Sequence, residues 1–380
     1  MLLIKKVNLF SPEALGTKDV MIINDKIFDI GDNLEPISDQ MTVIDGSGKT
    51  LIPGLIDGHV HLTGGGGEGS FRTRVPEITL SKLIEGGITT VLGLLGTDST
   101  TRNVENLVAK AKALNEEGIT SYALTGSYGY PSVTLTDSVK KDITYINEII
   151  GVKIAISDHR APSTTKEELA RLASDARVAG MLSGKAGVVV THMGEGKGRL
   201  KPIRDVLENW DLPMKTFIPT HVNRNDELLK EALDYARAGG TIDLTCGIYD
   251  ERTPGRVVAE ALKAGVPGEN ITISSDGYGS WSKYDEKGNL LKIGVSSVSS
   301  LYNELRETVK AELISLEKTL PFFTTNVARA LGLDRSKGRI AKDMDADMLI
   351  LDGDFNLDYV IARGQIMMKE GQLVVKGTYE

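Results

Sequence analysis

Five histidines occur in 380 residues, and four of them stand where short apolar runs end. His59 and His61 close the run Leu55-Ile56-Asp57-Gly58-His59-Val60-His61, His192 follows Val188-Val189-Val190-Thr191, and His221 follows Phe217-Ile218-Pro219-Thr220. Neutral imidazole is the commonest protein ligand for zinc-like metals. On a strand, residues i and i+2 share a face, so His59 and His61 can hold one ion together. Any one of these histidines, taken alone, reads more simply as a buried ring bonded to backbone. The pair after Asp57-Gly58, joined by two further strand-end histidines, points instead to a metal centre and to hydrolysis.

Two more residues belong to this pattern. Lys153 sits in the apolar run Gly151-Val152-Lys153-Ile154-Ala155-Ile156-Ser157, on the same alternation as Ala155 and Ser157. A cation facing metal ions is repelled, so this lysine either pairs with a carboxylate or loses its proton. Asp276, in Ile273-Ser274-Ser275-Asp276-Gly277, either caps a helix or serves as ligand and base. His159 reads as a structural or supporting histidine, and Cys246 as a small core residue.

The elements that must position these groups fall into three blocks. Residues 1–52 read as short alternating strands (2–9, 20–30 and 41–44) separated by Asn, Asp, Gly and Pro turns. Residues 337–380 have the same character, so the two ends together predict one small β-sandwich domain. Residues 53–336 alternate strands (54–61, 89–95, 121–125, 152–157, 187–192, 216–221, 241–245 and 270–275) with helical patterns at 104–117, 166–182, 226–238 and 254–264, the last stopped by Gly265. Eight such units predict an α/β fold, a (β/α)8 TIM-like barrel, with its active site at the C-terminal ends of the strands. His61, His192, His221, Asp276 and Lys153 then converge on one mouth.

Composition narrows the partners. A net charge of −8 argues against nucleic acid, which needs basic patches. The single cysteine excludes an intrachain disulfide and suits a reducing cytoplasm. No apolar run approaches ~18 residues and no apolar leader opens the chain, so neither a membrane nor a targeting role is expected. Gly64-x-Gly66-x-x-Gly69 matches a dinucleotide fingerprint, but it follows a metal-type pair and lacks an acidic strand end ~20 residues on, Glu85 falling in a helical stretch. Gly48-Lys49-Thr50 lacks the first glycine of a phosphate loop, position 43 being Val.

The run Gly54-Leu55-Ile56-Asp57-Gly58-His59-Val60-His61, the later single histidines and Asp276 resemble the amidohydrolase superfamily. The run Gly64–Gly67 with Glu68, Gly93-Leu94-Leu95-Gly96-Thr97, Thr125-Gly126-Ser127-Tyr128, Ser157-Asp158-His159-Arg160 and His221-Val222-Asn223-Arg224 narrow the resemblance to isoaspartyl (β-aspartyl) dipeptidases. The resemblance spans essentially the whole chain. It implies two Zn2+ ions, other divalent metals being possible: one on His59, His61 and Asp276, the other on His192 and His221. Lys153, as a carbamate (N6-carboxylysine), is shared between them. It implies a metal-bound hydroxide as nucleophile, Asp276 as the proton-transferring residue and Tyr128 as the support for the developing oxyanion. It further implies Glu68 for the substrate ammonium, Arg160 and Arg224 for its α-carboxylate, and Gly66, Thr97 and Ser280 as minor contacts. A homo-oligomer, by resemblance an octamer, is also implied. A cyclic-amide hydrolase of the dihydroorotase or hydantoinase type would use the same metal set, and a catalytically silent interaction protein would be expected to lose ligands.

Overall fold

The computed structural model describes residues 1–247, 252–285 and 289–380. The N-terminal block forms β1 (Leu2–Phe10), β2 (Ala14–Ile23), β3 (Lys26–Gly31), β4 (Thr42–Asp45) and β5 (Thr50–Pro53). The barrel strands are β6 (Leu55–Val60), β7 (Ile88–Gly93), β8 (Thr120–Gly126), β9 (Ile149–Ile156), β10 (Val188–Met193), β11 (Phe217–Thr220), β12 (Ile242–Thr245) and β13 (Ile271–Ser274). A hairpin, β14 (Ser280–Tyr284) and β15 (Leu290–Val295), follows. The chain ends in β16 (Met348–Leu351), β17 (Leu357–Ala362), β18 (Gln365–Lys369) and β19 (Gln372–Leu373).

Strands β6 to β11 pair in parallel in chain order, and β12 pairs with β13. β12 lies beside β11, and a parallel bridge from Val60 to Gly277 returns the chain to β6. The result is a (β/α)8 barrel. Local sequence explains the helices packed outside it. Asn103 and Asn225 accept the Asn106 and Leu228 amides at helix starts, and Thr165 forms a reciprocal capping box with Glu168. Pro254 opens its helix, where the missing N–H costs nothing.

The chain's two ends meet in one mixed sheet, where β5 pairs antiparallel with β16 and sets Leu51 opposite Ile350. Alternation along β16 divides its labour. Met348 and Ile350 join Ile4, Leu9 and Ile22 in the core of the small β-sandwich, while Leu349 and Leu351 pack with Ile52 and Ile84 against the barrel. Residues 20–30, read as one strand, are instead two, because Asn24 takes a left-handed turn (φ 56°) between β2 and β3. The last strand, β19, stops at Leu373.

Lys337 ties the small domain to the barrel. It is 4% exposed and pairs with Asp345 at 2.8 Å and with Asp347, and it donates to Thr120 Oγ1 at 2.7 Å at the start of β8. Burial alone would lower its ammonium pKa, but the two aspartates outweigh that and raise it. Burial likewise would raise Asp345, yet Lys337 and Lys26 hold it below its ordinary value. The stabilisation is therefore present above the unfolded aspartate pKa, about 3.9, and below the unfolded lysine pKa, about 10.4. Replacing Lys337 with Met leaves the buried Asp347 carboxylate without its cation and Asp345 with Lys26 alone, and should cost about 3–5 kcal/mol in urea unfolding at pH 7. The gap from wild type should narrow as pH falls through the Asp345 value. An unchanged unfolding midpoint would remove the lysine from the account of domain attachment.

Candidate functional site

The strand ends place the histidines. β6 stops at Val60, and the His61 amide donates to the Gly277 carbonyl at 2.9 Å, which sets its ring at the barrel mouth. β11 stops at Thr220, and His221 then adopts φ 62°, a left-handed turn that aims its ring across the barrel. Asp276 does the same after β13, with φ 52°. A non-glycine residue in this region is uncommon and marks a position held by its surroundings. His192 stays within β10, whereas Ser157 lies just beyond β9 and turns left-handed.

These side chains meet. The His59 ring lies 4.9 Å from the His221 ring, and His221 lies 4.7 Å from His192. Nε2 of His61 and of His59 stand 3.2 and 3.6 Å from Asp276 Oδ1, and Lys153 Nζ stands 2.9 Å from His59 Nε2. Asp276 Oδ1 is buried and makes no hydrogen bond among the described residues. His59, His221 and Asp276 offer ligand atoms within 4.8 Å of one another. Burial, before any charge, keeps the His59, His192 and His221 rings neutral, and it pushes the Lys153 ammonium down to about 7. Electron pairs gathered on one buried point are what a divalent cation satisfies, and a lysine amine that deprotonates readily can take up carbon dioxide. The donor set fits a metal centre.

Several supporting groups have no role assigned from the sequence. Thr245 Oγ1 lies 2.7 Å from His221 Nδ1, which leaves Nε2 for a ligand role. Asp57 accepts the Ser275 hydroxyl and the His59 and Ser275 amides, while burial pushes its carboxyl up to about 7. Asp158, unassigned from sequence, forms a two-point pair with Arg160 (2.9 and 2.8 Å) and lies 3.1 Å from His192 Nε2. Burial would raise the Asp158 carboxyl, but Arg160 and His192 outweigh it and hold it well below the usual carboxylate range.

Above the cluster opens a cavity of about 670 Å3 lined by His61, His192, Asp276 and all seven residues assigned to substrate contact: Gly66, Glu68, Thr97, Tyr128, Arg160, Arg224 and Ser280. Ser280 donates to both Glu68 oxygens at 2.9 Å, so β14 pins a carboxylate 212 positions earlier. A side chain on Gly64 or Gly66 would strike the backbone of residues 73–76, which is why this loop needs glycine. The Tyr128 hydroxyl lies 2.9 Å from His192 Nδ1, and burial raises its pKa, so it stays a hydrogen-bond donor. Arg160 lies 4.9 Å from the Tyr128 ring centroid and 3.6 Å from Glu68 Oε1. Arg224 faces Glu195 at 3.8 Å, and His159 sits exposed at the rim. Trp281 and Glu195, which also line the cavity, were not singled out from sequence; β14 has no clean apolar alternation to reveal it. Cys246 is buried in the barrel core.

The amidohydrolase family model matches residues 50–203 and 215–367. In structure the chain is similar to the β-aspartyl dipeptidase of Fervidobacterium islandicum AW-1 in complex with a β-Asp-Leu dipeptide. The two share 44% identity over 98% of each chain, with a TM-score of 0.92. A D-hydantoinase structure is 19% identical over 99% of this chain and 97% of its own, with a TM-score of 0.71, a likeness of fold alone. The dihydroorotase of Ligilactobacillus salivarius is 23% identical over 411 residues, covering 97% of this chain and 92% of that protein. The imidazolonepropionase of Fusobacterium nucleatum is 28% identical over 164 residues, and the chain spans only 38% of its length.

The gathered donors make metal content the direct check. Protein purified without chelator should carry close to two equivalents of divalent metal by elemental analysis. Lys153→Ala should carry well under one, because it would lose the shared carbamate that the sequence resemblance implies for this lysine. Near-normal metal in that variant would leave Lys153 without a role in holding ions.

Proposed function

The chain belongs to the amidohydrolase family and is a hydrolase of peptide bonds, and we propose that it cleaves the β-linkage of isoaspartyl dipeptides with two divalent metal ions. The observation that carries this reading is the charge layout of the cavity: Glu68, Arg160 and Arg224 line it together with His61, His192 and Asp276 of the metal-type cluster. A free dipeptide joined through a β-carboxyl bears an ammonium and a carboxylate on the carbon next to the scissile arm. This layout offers both charges a partner.

His59, His61 and Asp276 would hold one ion and His192 and His221 the other, with Lys153 as a carbamate shared between them. Zinc suits this nitrogen and oxygen donor set. Such ions supply a Lewis acid for the scissile carbonyl and lower the pKa of an attacking water. The protein's own groups do the rest. Glu68, steadied by Ser280, takes the substrate ammonium, and Arg160 and Arg224 take carboxylate. Asp276 accepts the proton that the attacking water gives up as its oxygen bonds to the carbonyl carbon. Tyr128 donates its O–H to the carbonyl oxygen as negative charge grows there. When the C–N bond breaks, Asp276 returns the proton to the leaving nitrogen, releasing aspartate and a free amino acid. Clearance of peptides damaged by aspartate rearrangement is the biological role that fits. A cytoplasmic homo-oligomer, by family an octamer, belongs to the same proposal, as does the division into residues 1–52 and 337–380 around a catalytic block 53–336.

Isoaspartyl-leucine should be cleaved at least ~100-fold faster, by kcat/KM, than aspartyl-leucine, because an ordinary linkage displaces the scissile carbon by ~1 Å or more when both charges are engaged. Equal rates, or robust hydrolysis of dihydroorotate instead, would overturn the substrate assignment and leave the metal hydrolase standing. Tyr128→Phe should lower kcat by roughly 10²–10³ with little change in KM. A change confined to KM would move Tyr128 to ground-state binding.

A further inference from the structure

We propose that Asp158 is a positioning residue serving both halves of the site: it fixes the proton of His192 on Nε2, freeing Nδ1 for a metal ion, and it holds the guanidinium of Arg160 toward the substrate. The inference rests on the reading of His192 as a metal ligand and adds a residue that neither binds the metal nor touches the scissile bond.

The geometry is over-determined. Asp158 is 5% exposed, and Oδ1 accepts the Arg160 amide at 2.8 Å and Arg160 Nε at 2.9 Å. Oδ2 accepts Arg160 Nη2 at 2.8 Å and lies 3.1 Å from His192 Nε2. An ionised carboxylate only accepts, so His192 Nε2 must carry the hydrogen. A neutral imidazole has one such hydrogen, and the lone pair is therefore on Nδ1; the Tyr128 hydroxyl stands 2.9 Å from Nδ1 and 3.3 Å from Nε2, so the Asp158 contact is what distinguishes the two nitrogens. Arg160 Nη2 also stands 3.3 Å from His192 Nε2. Two donors facing each other repel, and the Asp158 oxygen that accepts from both makes the approach tolerable.

The same pair shapes the clamp. Asp158 occupies the Nε/Nη2 edge of Arg160, so the edge left for a substrate carboxylate is the one bearing Nη1, beside Thr97 Oγ1 at 3.3 Å. The backbone under Asp158 is fixed as well. The Gly196 amide donates to the Ser157 carbonyl at 2.7 Å, and a side chain on Gly194 would collide with Asp158 itself. A carboxylate behind a ligand histidine sets its tautomer and raises its basicity, and losing one typically costs 10–100-fold in metal affinity.

The test uses the full-length protein with zinc as the probe. Asp158→Asn keeps the shape but presents an amide N–H to two donors, so it should weaken the weaker of two zinc sites about 10–100-fold in competition with a chromophoric chelator. With zinc in excess, KM for isoaspartyl-leucine should still rise about tenfold or more, from the misplaced Arg160. Matching melting temperatures of the metal-free proteins would establish that the fold is intact. Unchanged zinc affinity, or unchanged KM at full loading, overturns the two-sided role. Should the variant not fold, nitrogen-15 NMR of the wild-type histidines decides the first half, since His192 must carry its hydrogen on Nε2 in the metal-free protein. The opposite tautomer overturns the proposal. Wild-type protein that binds no zinc would defeat the metal reading instead, and the NMR result would still report on Asp158.

Discussion

An ammonium sealed inside an eight-strand barrel is costly by several kcal/mol unless it loses its charge or meets anions. Lys153 is in that position: it is fully buried, with His59 Nε2 at 2.9 Å. Its burial and the burial of three neutral imidazoles are one condition seen from different residues. Neutral rings offer lone pairs instead of N–H groups, and an amine that deprotonates near pH 7 becomes a nucleophile toward carbon dioxide. Asp276 and Asp243 bring the negative charge that opposes full neutralisation. Excluding water from these donors in this way is what a cation site would require of the barrel.

That arrangement was legible in the sequence where one strand end speaks for itself. A rare residue at the end of an apolar run is a local signal, and it located His59, His61, His192 and His221. The alternation around Lys153 was equally local. Partnerships that exist only in three dimensions were not legible. Asp158 meets His192 across 34 positions, and Ser280 meets Glu68 across 212. The hairpin β14–β15 has no clear mark in the sequence, because Ser280-Trp281-Ser282 carries no apolar stripe and all of β15 is exposed or half-buried. The split at Asn24 was hidden because strand-like residues continue on both sides of the turn.

The small β domain shows the same division between local and distant information. Its strands were readable as short apolar runs between turn residues, although several of them bury consecutive side chains and not every second one. Its assembly depends on β5 and β16, which lie almost 300 positions apart, finding one register. β16 is apolar on both faces because it is covered on both, by the small core on one side and the barrel on the other. The buried Lys337 adds specificity to that contact, because its partners Thr120, Asp345 and Asp347 come from both bodies. Apolar surface alone would tolerate a slipped strand, whereas an ammonium with two carboxylates does not.

Charge placement in the cavity also bears on which carbonyl is presented. Glu68 has 9% of its side chain exposed, and its partners are the Ser280 hydroxyl and, at 3.6 Å, Arg160. Arg160 is already committed on one edge to Asp158, so it cannot neutralise Glu68 in full. A cyclic amide without an ammonium would enter this cavity, displace water from Glu68 and return nothing to it. Burying a carboxylate without a matched donor costs more than the ring's contacts restore. On the proposed reading a free dipeptide would reverse the balance: its ammonium would meet Glu68, and its carboxylate would meet the open edge of Arg160 or of Arg224. The metal-type cluster alone suits many hydrolyses, and it is this pairing of opposite charges at its rim that favours a zwitterionic substrate.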